Sequence, residues 1–344
     1  MSRKQEADIV IVGAGPVGLF AVFACGQLGM RCHVVDAFSE IGGQCIALYP
    51  EKPIYDIPGF PSVRGRELIA RLREQAEPYH ARFSLDSLAV GLRRDAQRLF
   101  VRTSKDEEIL ARAVIIVAGP GAFGPNRPPL AGIEALEGTS VHYWVRDPQT
   151  LRGKRIVIAG GGDSAVDWAI VLSDIAASVT LVHRRSKFRA PPASVNALMQ
   201  LSGNKKVTLR VPYQVSALEA HERALKAVII EDLDGERIRL EADVLLPFFG
   251  LSSDLSALSE FGLNLEAGAI RCDPLSMSTS VPGIFAAGDV ASYPGKEKLL
   301  VTGFSEAAIA ARSAFAFAYP EKPYHFQHST DRGRPSASQV RQNV

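Results

Sequence analysis

Apolar positions in this chain fall into short runs that end in glycine-rich turns, each turn followed by a helical pattern. The first run is IVIV (9–12), then GAGPVG, then LFAVFACGQLG as a helix, then the strand HVV closing on Asp36. The pattern returns at about 154–183, where RIVIA leads into GGGDSA, a helix and the strand VTLV. Such a strand–turn–helix–strand sequence is a βαβ unit. Between the two units, residues 39–61 are dense in Gly, Pro and aromatics and read as a loop. A helix is predicted at about 65–78, short alternating strands near 83–103, and a buried strand at AVIIVAG (113–119). The stretch 119–132 reads as a linker. Further strands are predicted at 207–211, 226–231 and 243–249, then strand and turn at IFAAGD (284–289), then a helix at about 304–318. The chain after Tyr319 is polar and irregular, and DRGRPSASQVRQNV has a disordered composition.

Repeated βα periodicity points to the α/β class with parallel sheets. Because the second unit begins before the first domain is finished, the expected architecture is two Rossmann-like three-layer domains, one inserted in the other. The outer domain takes 1–122 plus 251–330, the inserted one 123–250, and 331–344 is a tail. Hinges are expected near 120–126 and 247–252, where Gly119, Gly121, Gly124 and Gly250 permit a swivel.

Composition narrows the classes. With 344 residues there is room for two cores, and the net charge of +2 is too small to argue for nucleic acid. The N-terminus enters a core strand within about ten residues, leaving no room for a signal peptide, and no apolar run approaches the roughly 20 residues of a membrane span. Cys25, Cys32, Cys45 and Cys272 form no CxxC and no metal-ligand spacing, so no metal site is expected and the location expected is cytoplasmic.

Each glycine turn has a chemical reading. Gly13 permits the tight turn, Gly15 lets a pyrophosphate approach the backbone at a helix N-terminus, and Gly18 lets helix and strand pack closely. Asp36 ends the second strand, where a carboxylate accepts from ribose hydroxyls. FAD and NAD both offer that ribose, so the motif alone leaves them open. Its position at the N-terminus favours FAD, as does STSVPGIFAAGDV (278–290), which places Asp289 at a strand end within reach of a ribityl hydroxyl.

The second turn, Gly160-x-Gly162-x-x-Ala165 with Asp163 and Ser164 inside it, is the same device. Its second strand ends not on an acid but on His183-Arg184-Arg185, with Arg189 close behind. A carboxylate would repel a 2′-phosphate, whereas guanidiniums bind one through charge-assisted bonds. At roughly 1.5–3 kcal/mol per charged hydrogen bond, two contacts favour NADPH over NADH by on the order of 10² to 10⁴. FAD and NADP(H) in one chain imply hydride transfer between them.

The chain resembles the thioredoxin-reductase-like branch of the two-dinucleotide flavoproteins over about residues 7–330. It lacks the cysteines of three disulfide chemistries in that branch. The stretch before the second turn, where thioredoxin reductases carry CxxC, is VHYWVRDP. Gly42-Gly43-Gln44-Cys45 matches the GGxCxxxxC of glutathione-reductase relatives, but Pro50 takes the second cysteine's place. Val17 stands where bacillithiol disulfide reductases carry a Cys.

In GGQCIALYPEKPIYDIPGFP (42–61), VHYWVRD, GFSEAAIAA (303–311) and QHSTD (327–331) the chain is similar to ferredoxin–NADP reductases of the thioredoxin-reductase-like type. That resemblance implies electron exchange between NADP(H) and ferredoxin or flavodoxin, an acidic carrier. It implies that Tyr49 stacks on one flavin face, that His328 covers the other with Thr330 near the ring edge, and that Gln44, Ala89 and Phe123 contact FAD. His325 competes with His328. It also implies a homodimer in which the tail reaches the partner's flavin. Two features depart from the pattern: Cys45 stands where Leu is usual, and the tail runs past QHST carrying Arg332, Arg334 and Arg341. Rival readings are a flavin-dependent NADPH oxidase or monooxygenase, a redox-sensing binding protein, and a thiol-disulfide reductase of the same fold.

Overall fold

The strand Ile9–Val12 sits at the middle of a five-stranded parallel sheet in a computed structural model of the chain. The structure describes residues 4–95, 98–145, 147–255, 258, 261–325 and 327–332; side chains of residues 4, 122–125, 251–254, 329 and 332 are outside the description. The chain forms two compact units, 1–123 with 253–344, and 124–252.

In the first unit the strand order is Arg82–Ser84, Cys32–Val35, Ile9–Val12, Ala113–Ile116, Ile284–Ala286, all parallel. The three inner strands are buried along their whole length, and all their residues but His33 are apolar. This is what a parallel sheet covered on both faces requires. The helices Pro16–Gln27 and Leu300–Ala318 cover one face and pack on each other, with Ala21, Ala307, Ala310 and Ala314 buried in the shared core. The other face carries a four-stranded sheet, Lys4–Glu6, Glu108–Ala111, Leu99–Thr103, Ala89–Arg94.

The second unit repeats the plan. Its parallel order is Val207–Arg210, Ser178–Val182, Arg155–Ala159, Val244–Pro247. Side-chain alternation divides the two cores: Ile156 and Ile158 face the helices Asp163–Leu172 and Pro192–Gly203, while Val157 and Ala159 face the antiparallel meander of Gln214–His221, Ala224–Glu231 and Arg237–Glu241.

Several local expectations are revised. The 39–61 stretch contains a one-turn helix, Gln44–Ala47, and the strand Pro53–Ile54, which pairs with Val63–Arg64. The linker contains a strand, Ala122–Pro125, that pairs with Leu251–Asp254. The last long helix begins at Leu300, and the segment after Tyr319 includes the turn Ser329–Arg332. No helix among the described residues is long and apolar enough to cross a membrane.

Candidate functional site

In the first unit, the carboxyl ends of the parallel strands open into a cleft of about 1000 Å³, its mouth included. This is where ligands bind in doubly wound sheets. Gly13, Gly15, Asp36, Gln44, Tyr49, Ala89 and Asp289 all line it. Gly13 has φ +116°, and a Cβ there would lie 2.4 Å from the Val117 carbonyl oxygen. Gly18 lies behind the wall, where a Cβ would fall 2.0 Å from the Gly13 oxygen. Gly15 is the N-cap of the Pro16–Gln27 helix and gives its first turn no side-chain acceptor. The free N–H groups there suit a pyrophosphate.

Asp36 is buried. Its Oδ2 accepts from the Ala14 N–H at 2.5 Å and its Oδ1 from the Phe38 N–H at 2.8 Å. Burial pushes its carboxyl up and the two N–H groups hold it down. The bonds fix its rotamer, and each oxygen keeps a lone pair for a ribose hydroxyl. Beside it, Ser87 lines the cleft with a buried hydroxyl that has no hydrogen-bond partner among the described residues. An orphaned polar atom of this kind suits a polar ligand. Nothing in LDSLAV marked Ser87 in advance.

The cleft is also lined by Cys45, Tyr49, Asp289 and Leu300. The Cys45 thiol donates toward the Tyr49 hydroxyl at 3.8 Å. Burial pushes Cys45 up to about 11, and burial likewise raises the Tyr49 phenol. Cys45 is therefore a protonated thiol at neutral pH, unsuited to attack a disulfide. All four cysteines are free and buried. The glycine cradle, the ribose-facing acid, the orphaned hydroxyl and the long, mostly apolar wall fit FAD.

His328 and Thr330 do not line this cleft; both are exposed, as is His325. Phe123 lies on the Ala122–Pro125 strand, but its side chain is outside the described residues. Of the tail, Arg334 and Arg341 are also outside them, and the Arg332 side chain with them.

In the second unit, Gly160 has φ +154°, and a Cβ there would lie 2.6 Å from the Phe248 carbonyl oxygen. Ala165 is buried behind the turn. Gly162 caps the Asp163–Leu172 helix with open space above it, and Asp163 and Ser164 are exposed in the first turn. His183 plays a different part from its neighbours. Its ring packs against Gly161, stacks on Phe188 at 5.2 Å, and places Nε2 3.2 Å from the Lys187 carbonyl oxygen. Burial, then the nearby arginines, keep it below the ordinary histidine range despite that carbonyl. The positive charge of the cluster therefore rests on Arg184, Arg185 and Arg189, all exposed and without an acidic partner among the described residues. The Arg189 N–H donates to the Gly161 oxygen at 2.7 Å, tying the arginine loop to the glycine turn.

Two parallel sheets that share the order of their first four strands, each with a glycine turn at its carboxyl edge, define the class. The chain belongs to the pyridine nucleotide-disulphide oxidoreductase family, whose model matches residues 7–314. Within it the chain groups with the ferredoxin–NADP reductases. It is 54% identical to the ferredoxin–NADP reductase of Paramagnetospirillum magneticum, covering 96% of this chain and 99% of that protein. It is 53% identical to that of Rhodospirillum rubrum, covering 97% and 98%. Among solved structures, Lactococcus lactis thioredoxin reductase superimposes with a TM-score of 0.75 at 26% identity, covering 91% of this chain and 99% of that one.

Proposed function

We propose that this chain is a FAD flavoprotein that exchanges electrons between NADP(H) and ferredoxin, with flavodoxin as an alternative carrier. The observation that carries the reading is the pair of glycine turns in separate units, one answered by Asp36 and the other by Arg184 and Arg185. The relatives' names point the same way.

When bound, FAD supplies the chemistry that converts a two-electron hydride into single electrons. Gly13, Gly15 and the first turn of the Pro16–Gln27 helix would hold its pyrophosphate. Asp36, Ser87 and Ala89 would hold the adenosine end, and Gln44, Tyr49 and Asp289 the flavin end. Tyr49, which lines the cleft and accepts from the Cys45 thiol, would shield the ring from water. Gly160, Gly162 and the Asp163–Leu172 helix would hold NADP(H), with Arg184, Arg185 and Arg189 around its 2′-phosphate. No side chain is needed as a general acid or base for hydride transfer.

His328 and Thr330, exposed and not among the residues lining the cleft of their own unit, fit completion of the site by the tail of a second copy in a homodimer. The free, buried cysteines fit a cytoplasmic setting. The test is anaerobic mixing of purified protein with NADPH. Bleaching of a flavin absorbance that ferredoxin then restores is expected. A protein without flavin, or one that NADPH cannot reduce, would overturn the reading.

A further inference from the structure

Behind the Gly288–Asp289 part of the cleft wall lies a buried ion pair to which the electron-transfer reading gives no part. Glu306, on the Leu300–Ala318 helix, is 2% exposed. Its Oε1 meets Lys296 Nζ at 2.5 Å, with side-chain exposures of 6% for the lysine and 3% for the glutamate. The same oxygen accepts from the Tyr293 hydroxyl at 2.5 Å. Its Oε2 accepts from the Gly288 N–H at 2.7 Å. Gly288 and Asp289 both line the cleft, so the pair stands one hydrogen bond behind its wall.

The Gly288 backbone is left-handed and in contact with the residues around it. Its φ is +75°, and a Cβ there would lie 3.4 Å from Val17 in the first glycine turn. From the other side, a Cβ at Gly303 would lie 2.6 Å from Val17 and 3.4 Å from the Gly288 Cα. A buried ion pair is rarely more stabilising than apolar residues of the same volume, because both charges lose water. Placement is what it offers here: one carboxylate ties a helix, a turn and a lysine to the peptide that presents Asp289.

We propose that Lys296, Glu306 and Tyr293 are positioning residues that fix the Gly288–Asp289 turn and balance the charge behind the flavin end of the cleft. This inference rests on the FAD reading above. Because Lys296 and Glu306 cancel, removing either leaves one charge of known sign beside the cofactor, in a medium that screens it poorly.

The experiment uses the full-length chain with Glu306→Gln, Lys296→Met, the double variant and Glu306→Asp. FAD affinity is read by titrating apoprotein with FAD, and the bound flavin's midpoint potential by dye equilibration. Glu306→Gln is expected to weaken FAD by roughly tenfold and to raise the potential. Lys296→Met is expected to lower the potential, and the double variant to return it toward wild type. Glu306→Asp keeps the pair but shortens the reach to Gly288; it should weaken FAD by about threefold while moving the potential less than Glu306→Gln does. Two single variants that shift the potential in the same direction, or not at all, would overturn the charge balance. If they do not fold, unchanged FAD affinity in Glu306→Asp overturns the positioning role. Wild-type protein that takes up no FAD overturns the flavoprotein reading and this inference together, whereas wild type that binds FAD no better than any variant overturns this inference alone.

Discussion

Asp36 and Arg184 close the second strands of two similar units with opposite charge, and that contrast was legible in the sequence because it needs only a motif and a count of residues. What the sequence did not disclose is how neighbours alter a residue. His183 looked like a third cation, yet its ring is packed between Gly161 and Phe188. Converting Arg184 and Arg185 to Ala together should therefore reduce the NADPH-over-NADH preference in kcat/KM by on the order of 10² to 10⁴, whereas His183→Gln should chiefly lower stability. Ser87 was invisible for a related reason: a serine in a loop has no signal until its hydroxyl is seen to be buried and unpaired. Cys45, with its thiol raised to about 11, should react with iodoacetamide at neutral pH roughly a hundredfold slower than a free cysteine, and Cys45→Ala should retain ferredoxin-dependent turnover. Rapid labelling with loss of turnover would argue for thiol chemistry.

A residue-scale pH dependence comes from His33. Its Nε2 pairs with the Ser84 hydroxyl, which donates to Glu107, so Nε2 carries the hydrogen. Its Nδ1 is buried without a partner among the described residues. Burial lowers it to about 4, below the roughly 6.5 of an unfolded chain. Between those values the unfolded chain binds the proton and the folded one does not, so stability falls as pH drops from about 6.5 toward 4, by up to about 1.4 kcal/mol per pH unit. Urea melts across that range should show the slope, and His33→Gln should flatten it.

At the scale of elements, the buried parallel strands were legible as apolar runs, and the glycine turns as the punctuation between strand and helix. The Pro192–Gly203 helix was missed because Pro191-Pro192 looks like a breaker, although proline is accepted in a first helical turn. Gln214–His221 and Arg237–Glu241 were missed because their outer faces carry charge and their apolar alternation is short. The glycine turns themselves make a sharp prediction. Gly160→Ala places a Cβ against the Phe248 oxygen and should raise KM for NADPH by roughly tenfold or more, while flavin content, held in the other unit, stays at the wild-type level. Loss of flavin from that variant would show that the two sites are not separate in the way the units suggest.

For the whole molecule, the place of the second glycine turn along the chain led to the expectation of one α/β unit inserted in another; the structure forms two compact units divided at 123/124 and 252/253. The reach of the tail was not legible, because on the homodimer proposal what His328 contacts would depend on a second copy and not on its own neighbours in sequence. Deleting residues from 327 onward should leave FAD bound and NADPH oxidation present, and should change the rate of electron delivery to ferredoxin. The most direct test of the central claim is NADPH-driven cytochrome c reduction, measured with and without added ferredoxin. Reduction that depends strongly on ferredoxin is the expected result. Equal rates in the two conditions, or rapid NADPH consumption with oxygen alone, would contradict it.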